Sequence, residues 1–224
     1  MRRPTDRFAP RALVLDMDGL MVDSEPLWFQ VERDFAAARS GTWTHELALS
    51  CTGRGTPYTL GVMAERFGFT VDLARDTAEM TDRFLGRLAD LALKPGCREL
   101  LDAADGRLPL AVASSSPLRL IRGVLARFDL VARFRAVVSG QEVERAKPAP
   151  DIFLRAASLL GAEPADCAVF EDSLAGATAG RAAGMFVIAV PEGSWEGRGF
   201  EAVADRIVPD LFAARSAIVL PDEG

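Results

Sequence analysis

The sequence predicts an α/β fold: a doubly wound parallel sheet with an all-helical block inserted after its first strand. Three observations predict it. An apolar run, "ALVL" at 12–15, ends abruptly in acids. The residues from 22 to 92 carry helical periodicity and no convincing strand. From residue 93 onward, short apolar runs alternate with helical stripes, the pattern of a parallel sheet.

The elements follow in order. Residues 11–16 read as a short buried strand ending at Asp16. In "PLWFQVERDFAAARSG", Leu27, Val31, Phe35 and Ala38 share one helical face; Pro26 suits the first turn and Gly41 lies past the end. "TPYTLGVMAERFG" is a second helix, with Thr56 to cap it, Pro57 to open it, and Leu60, Met63, Ala64 and Phe67 as its stripe before Gly68. A third, roughly 71–91, carries Leu73, Met80, Phe84, Leu88 and Leu91. "LKPG" at 93–96 breaks the pattern. "LPLAVASSS" is then a strand ending in hydroxyls, and "LRLIRGVLARF" a helix with Leu118, Ile121, Leu125 and Phe128 on its face. "AVVSG" is a strand, "PDIFLRAASLLG" a helix, "CAVFEDS" a strand ending in acids, and "LAGATAGRAAG" a small-residue helix with Gly184 as its stop. "FVIAV" is a strand and "DRIVPD" a short edge strand. The predicted organisation is a Rossmann-like core of residues 1–21 and 93–224, and a helical cap of residues 22–92.

Composition narrows the function. Of 224 residues, 49% are hydrophobic, enough for a sizeable core. The 26 basic residues are outnumbered by 32 acidic ones, for a net charge of −6, which argues against a nucleic-acid or membrane-surface role. No apolar run approaches membrane-spanning length, and the opening "MRRPTDRFAP" has no apolar segment of the signal-peptide kind. Cys51, Cys97 and Cys167 are far apart and His45 is the single histidine, so a zinc site is not expected. Reduced thiols in a cytoplasmic protein, monomeric or at most a weak dimer, are the expectation. His45 reads as a surface residue, and "TGRGT" at 52–56 lacks the pattern of a nucleotide loop.

In an open parallel sheet, ligands bind beyond the carboxyl ends of the strands. This chain places Asp16, Asp18 and Gly19 after the first strand, and Ser114, Ser115 and Ser116 after the second. The third strand leads to Lys147 in "AKPAPD", and the fourth ends in Glu171 and Asp172. Four ionised carboxylates would outweigh one ammonium, and Mg²⁺ is the cation that hard oxygen ligands suit. Carboxylates, a metal, a lysine and a hydroxyl together describe a phosphoryl-transfer site. Gly19 reads as the chain reversal out of the sheet. Ser116, before Pro117, reads as a turn hydroxyl.

"DMDG" after an apolar strand, a hydroxyl ending a second strand, "KP" before a helix and "ED" ending a later strand resemble, in order, the four motifs of the haloacid dehalogenase-like superfamily. The helical insert after the first motif resembles the cap of its β-phosphoglucomutase and sugar-phosphate phosphatase branch. The resemblance covers nearly the whole chain. It implies that Asp16 is a nucleophile and Asp18 a general acid and base, with Ser114 and Lys147 binding the transferred phosphate. It implies Mg²⁺ held by Asp16, the Asp18 backbone carbonyl, Asp172 and Glu171. Substrate would be bound by Gly19, Arg54, Ser114, Ser115 and Lys147. The implied function is a Mg²⁺-dependent phosphatase for a small phosphorylated metabolite, a sugar or polyol phosphate, acting through an aspartyl-phosphate. A phosphosugar mutase is the alternative within the branch. Its members carry a histidine where this chain has Trp28, and a cap lysine that "DLARDTAEMTDRFLGRLADLAL" lacks. A non-catalytic phospho-receiver or binding module is the alternative of another class, although neither needs a helical insert after the first acid.

Overall fold

Strand β1 (Ala12–Leu15) is buried on both faces, as an apolar run without alternation requires. In this computed structural model, which describes residues 7–193 and 199–221, β1 sits inside a six-stranded sheet. Residues 1–6 of the opening segment lie outside the described residues. The other strands are β2 (Leu110–Ser114), β3 (Ala136–Ser139), β4 (Cys167–Glu171), β5 (Phe186–Ala189) and β6 (Arg206–Ile207). Their order is β3-β2-β1-β4-β5-β6 and every pairing is parallel. The order reverses between β1 and β4, so the crevice expected of such sheets opens at the ends of those two strands.

Alternate strand residues feed two cores. Leu13, Leu15, Leu110, Val112, Phe170 and Ile188 face one side. There they meet α5 (Cys97–Ala104), α6 (Leu118–Arg127) and α9 (Leu211–Ser216). Ala12, Val14, Ala111, Val169 and Val187 face the other side, against α7 (Asp151–Leu160) and α8 (Leu174–Ala182). The small residues of α8 are explained by this contact. A Cβ on Gly180 would lie 2.6 Å from Val169 Cγ1 and 3.2 Å from Val187 Cγ2. Gly184, at φ +78°, follows the helix in the left-handed conformation of a C-terminal stop.

Between β1 and α5 lie four helices: α1 (Glu25–Ala37), α2 (His45–Cys51), α3 (Thr56–Phe67) and α4 (Leu73–Leu85). They pack on one another, and α4 also seats on α6, where Gly123 leaves room for Leu85. The chain leaves and re-enters the sheet side by side. Val22 bridges Leu93 in antiparallel fashion, Asp23 N–H donates to Ala92 at 2.9 Å, and Lys94 N–H donates to Met21 at 2.9 Å.

The sequence reading needs several corrections. Helices α2, α5 and α9 were not expected. They are short, at 7, 8 and 6 residues, and too brief for a clear period. The third predicted helix ends at Leu85; Leu88–Asp90 is a separate 3₁₀ turn. Leu73 is 54% exposed, and on α1 it is Ala36, not Ala38, that is buried. Thr56 begins α3 without capping it; Gly55, at φ +83°, holds the cap position.

Gly180 and Gly61 should answer substitution with opposite signs. Gly180→Val is expected to cost about 1–3 kcal/mol by overpacking the sheet. Gly61→Ala, in the interior of α3 with open space around the added methyl, should gain about 0.5–1 kcal/mol. Urea midpoints at unchanged m-value check both.

Candidate active site

The register of the two central strands builds the site. Leu15 pairs with Phe170, so the residues that follow, Asp16 and Glu171, emerge side by side. Lys147 arrives from the loop after β3 and is buried between them. Its Nζ donates to Asp16 Oδ1 at 2.6 Å, to Glu171 Oε1 at 2.5 Å and to the Ala113 carbonyl at 3.1 Å. All three ammonium protons are thereby used. Glu171 Oε2 accepts from Ser173 N–H and Oγ at 3.1 and 2.9 Å, so both of its oxygens are held. Asp16 Oδ2 has no protein partner among the described residues, and neither does the Asp172 carboxylate.

Two glycines make space for these acids. A Cβ on Gly19, at φ +77°, would stand 2.1 Å from Asp172 Oδ2. A Cβ on Gly176 would stand 1.8 Å from Glu171 Oε1. Gly19 is thus more than a chain reversal: it is the wall against which Asp172 rests.

Burial pushes the Asp16 carboxyl up to about 8; Lys147 opposes the rise, while Glu171 and Asp18 add to it. Burial, then Glu171 and Asp16, drive Asp172 well above the usual carboxylate range. Burial would lower Lys147, but Asp16 and Glu171 outweigh it and hold the ammonium above its ordinary value. Three buried carboxylates around one ammonium are therefore short of positive charge. One oxygen from each of Asp16, Glu171 and Asp172 lies within 4.8 Å of the others. A hard divalent cation such as Mg²⁺ fits this all-oxygen donor set, with the unpartnered Asp172 its most open ligand. The Asp18 side chain is not in that cluster.

Asp18 instead turns toward hydroxyls. Its Oδ2 accepts from Ser116 Oγ at 2.8 Å and Ser114 Oγ at 3.1 Å, and its Oδ1 accepts from the indole Nε1 of Trp28 at 2.9 Å. Ser114 Oγ in turn accepts from Ser116 N–H at 3.0 Å. Ser116, read from the sequence as a turn hydroxyl, and Trp28 are contacts of Asp18 that the sequence reading missed. The "SSS" run marked Ser116 only as a turn hydroxyl, and the resemblance marked Trp28, on α1, only as the position of the mutases' histidine. Ser115 Oγ donates to the Gly53 carbonyl at 3.0 Å and so ties the strand end to the loop before α3.

A cavity of about 110 Å³ opens above Asp16, Asp18 and Ser114 and extends under α1, α2 and α3. His45 is exposed, as expected, yet it also borders this cavity, with its ring edge-on to Phe29 at 5.3 Å. Arg54 does not border it. Its guanidinium lies 3.8 Å over the Tyr58 ring, donates to the Tyr58 hydroxyl at 3.1 Å, and lines an adjoining cavity beside Asp172.

Comparison with known proteins agrees with this arrangement. The sequence model of the haloacid dehalogenase-like hydrolases matches residues 10–184. Hexitol phosphatase B of Escherichia coli K12 is 36% identical over 195 residues, covering 80% of this chain and 83% of that protein. Protein CbbY of Rhodobacter capsulatus is 32% identical over 223 residues, covering 93% and 97%. A solved variant of CbbY from Rhodobacter sphaeroides, in complex with xylulose-(1,5)bisphosphate, superposes with a TM-score of 0.81 at 26% identity, covering 90% of this chain and 95% of that one. A parallel sheet that ends in paired acids and a buried lysine, together with these matches, establishes that the chain belongs to the haloacid dehalogenase-like hydrolases.

Proposed function

We propose that this enzyme is a Mg²⁺-dependent phosphatase that hydrolyses a sugar or polyol phosphate through an aspartyl-phosphate on Asp16. The observation that carries the reading is the different setting of two carboxylates two residues apart. Asp16 has one oxygen fixed by Lys147 and the other without a protein partner, which suits a nucleophile. Asp18 is surrounded by hydroxyls and an indole N–H at the edge of the cavity, where a leaving oxygen would sit. The resemblance to a hexitol phosphatase supports the substrate class.

On this reading, Asp16 Oδ2 attacks phosphorus while the bond from phosphorus to the ester oxygen breaks. Protonated Asp18 delivers its proton to the departing alkoxide. The resulting Asp18 carboxylate then takes a proton from water as the water oxygen bonds to phosphorus, and the bond to Asp16 breaks to release phosphate. Lys147 keeps the Asp16 carboxylate oriented and its charge would offset phosphoryl charge, while Ser114 would turn its hydroxyl from Asp18 to a phosphoryl oxygen. Asp16, Glu171 and Asp172, with the Asp18 backbone carbonyl, would hold Mg²⁺, which offsets phosphoryl charge when bound. The helical block of residues 22–92 would act as a cap over a core of residues 1–21 and 93–224, covering the cavity from bulk water. Three free, buried cysteines accord with a cytoplasmic setting, and no helix among the described residues is long and apolar enough to cross a membrane.

Mutase activity is disfavoured because the position facing Asp18 from the cap is an indole. Trp28 can donate a hydrogen bond but cannot exchange a proton near neutral pH.

Phosphate release from an aryl phosphate is expected to need Mg²⁺, to stop with EDTA and to vanish in Asp16→Asn. Mg²⁺ should also raise the melting temperature, a gain that Asp172→Asn loses. Equal activity of Asp16→Asn and the unmodified enzyme would sink the proposal, as would faster isomerisation than hydrolysis of β-glucose 1-phosphate primed with its bisphosphate. Separately, Trp28→Phe keeps the ring and removes the N–H. It is expected to lower kcat about tenfold, the worth of one hydrogen bond to a charged group, with little change in melting temperature.

A further inference from the structure

Deeper in the cavity stands a carboxyl that the phosphoryl chemistry leaves unused. Glu32 is four residues beyond Trp28 on α1, so it lies about 6 Å farther along the helix axis from the residue that touches Asp18. It is only 9% exposed, and it borders the same cavity as Asp16 and Asp18. Its Oε2 accepts from Trp43 Nε1 at 2.8 Å. Its Oε1 has no protein partner among the described residues, and it is not sealed in the protein interior. Thr56 and Thr59 line the cavity nearby, with Phe29 and Cys51 supplying apolar wall. Among the described residues, no lysine or arginine borders this cavity.

We propose that Glu32 is a specificity residue that hydrogen-bonds a hydroxyl on the uncharged tail of the substrate, selecting polyol or sugar monophosphates over bisphosphates and over alkyl phosphates. The proposal rests on the phosphatase reading above and names the end of the substrate remote from phosphorus. An alkyl chain filling the cavity would strip water from Glu32 Oε1 and leave it unpaired, a cost that a substrate hydroxyl removes. A second phosphate at this depth would meet a carboxyl and no cation to offset its charge. Burial pushes Glu32 up to about 7, with the Trp43 N–H opposing the rise and Glu25 adding to it. Near neutral pH both forms are then present, and a hydroxyl, which can donate or accept, suits either. The turn of α1 between Trp28 and Glu32, about 6 Å, suits a substrate chain of several carbons better than a two-carbon phospho-acid.

The test measures kcat/KM for three substrates: a pentitol or hexitol phosphate, an alkyl phosphate of equal chain length, and a sugar bisphosphate. The unmodified enzyme is compared with Glu32→Gln and with the double variant E32L/W43F. The double variant replaces both members of the buried pair by apolar groups and so leaves no stranded donor. The unmodified enzyme should prefer the polyol phosphate. In E32L/W43F the polyol-to-alkyl preference is expected to fall about tenfold or more, the loss of one hydrogen bond. In Glu32→Gln the discrimination against the bisphosphate should narrow several-fold. Alkyl phosphate turnover reports folding and reaction chemistry in every protein. Ratios constant within about twofold across both variants, or a parallel loss on all three substrates, overturn the proposal. If the unmodified enzyme releases no phosphate from any substrate in Mg²⁺, the phosphatase reading fails and takes this one with it. Metal-dependent release with unaltered ratios overturns Glu32 alone.

Discussion

The buried ammonium of Lys147 is the constraint around which the rest is arranged. A charge that deep is tolerated only when paired and hydrogen-bonded, and this one is met by two carboxylates and a carbonyl from three neighbouring strand ends. The pairing register of β1 with β4 sets Asp16 beside Glu171. The neighbouring β2 supplies the Ala113 carbonyl, and Ser173 secures the far side of Glu171. Gly19 and Gly176 leave the space that the Asp172 and Glu171 carboxylates occupy. The sheet order is in this sense a consequence of charge as well as of apolar burial: one cation must reach two anions that belong to different strands.

A second division of labour follows from the first. With Asp16 committed to Lys147, Asp18 is left to a neutral environment of two serines and an indole. Helix α1 serves both ends of the cavity. Trp28 touches Asp18 near the sheet, and Glu32 lies one turn farther away. One turn of a single helix therefore sets the spacing between the residue that touches Asp18 and Glu32. Loops alone would fix that spacing less rigidly.

Much of this was legible in the sequence because apolar strands that end in chemistry are conspicuous. Asp16, Ser114, Glu171 and Asp172 each terminate or directly follow a buried run, and Lys147 was marked by its prolines. What escaped was contact across elements. Ser116 and Trp28 converge on Asp18 only when α1 and the loop after β2 meet there, and an aromatic residue on an amphipathic helix resembles any core residue. Nothing local singles out Glu32, whose hydrogen-bond partner Trp43 comes from the following loop. Arg54, which the resemblance marked as a substrate-binding residue, stacks on Tyr58 and lines the cavity beside Asp172.

The paired crossings at Val22 and Leu93 have a consequence of their own. The chain departs from the sheet and returns to it at adjacent points, so the sheet's threading is indifferent to what lies between them. A short turn, a different bundle or a larger module could be spliced there without re-ordering a single strand. The junction therefore uncouples the helical block from the sheet: its length and packing can change while Asp16 and Glu171 keep their register.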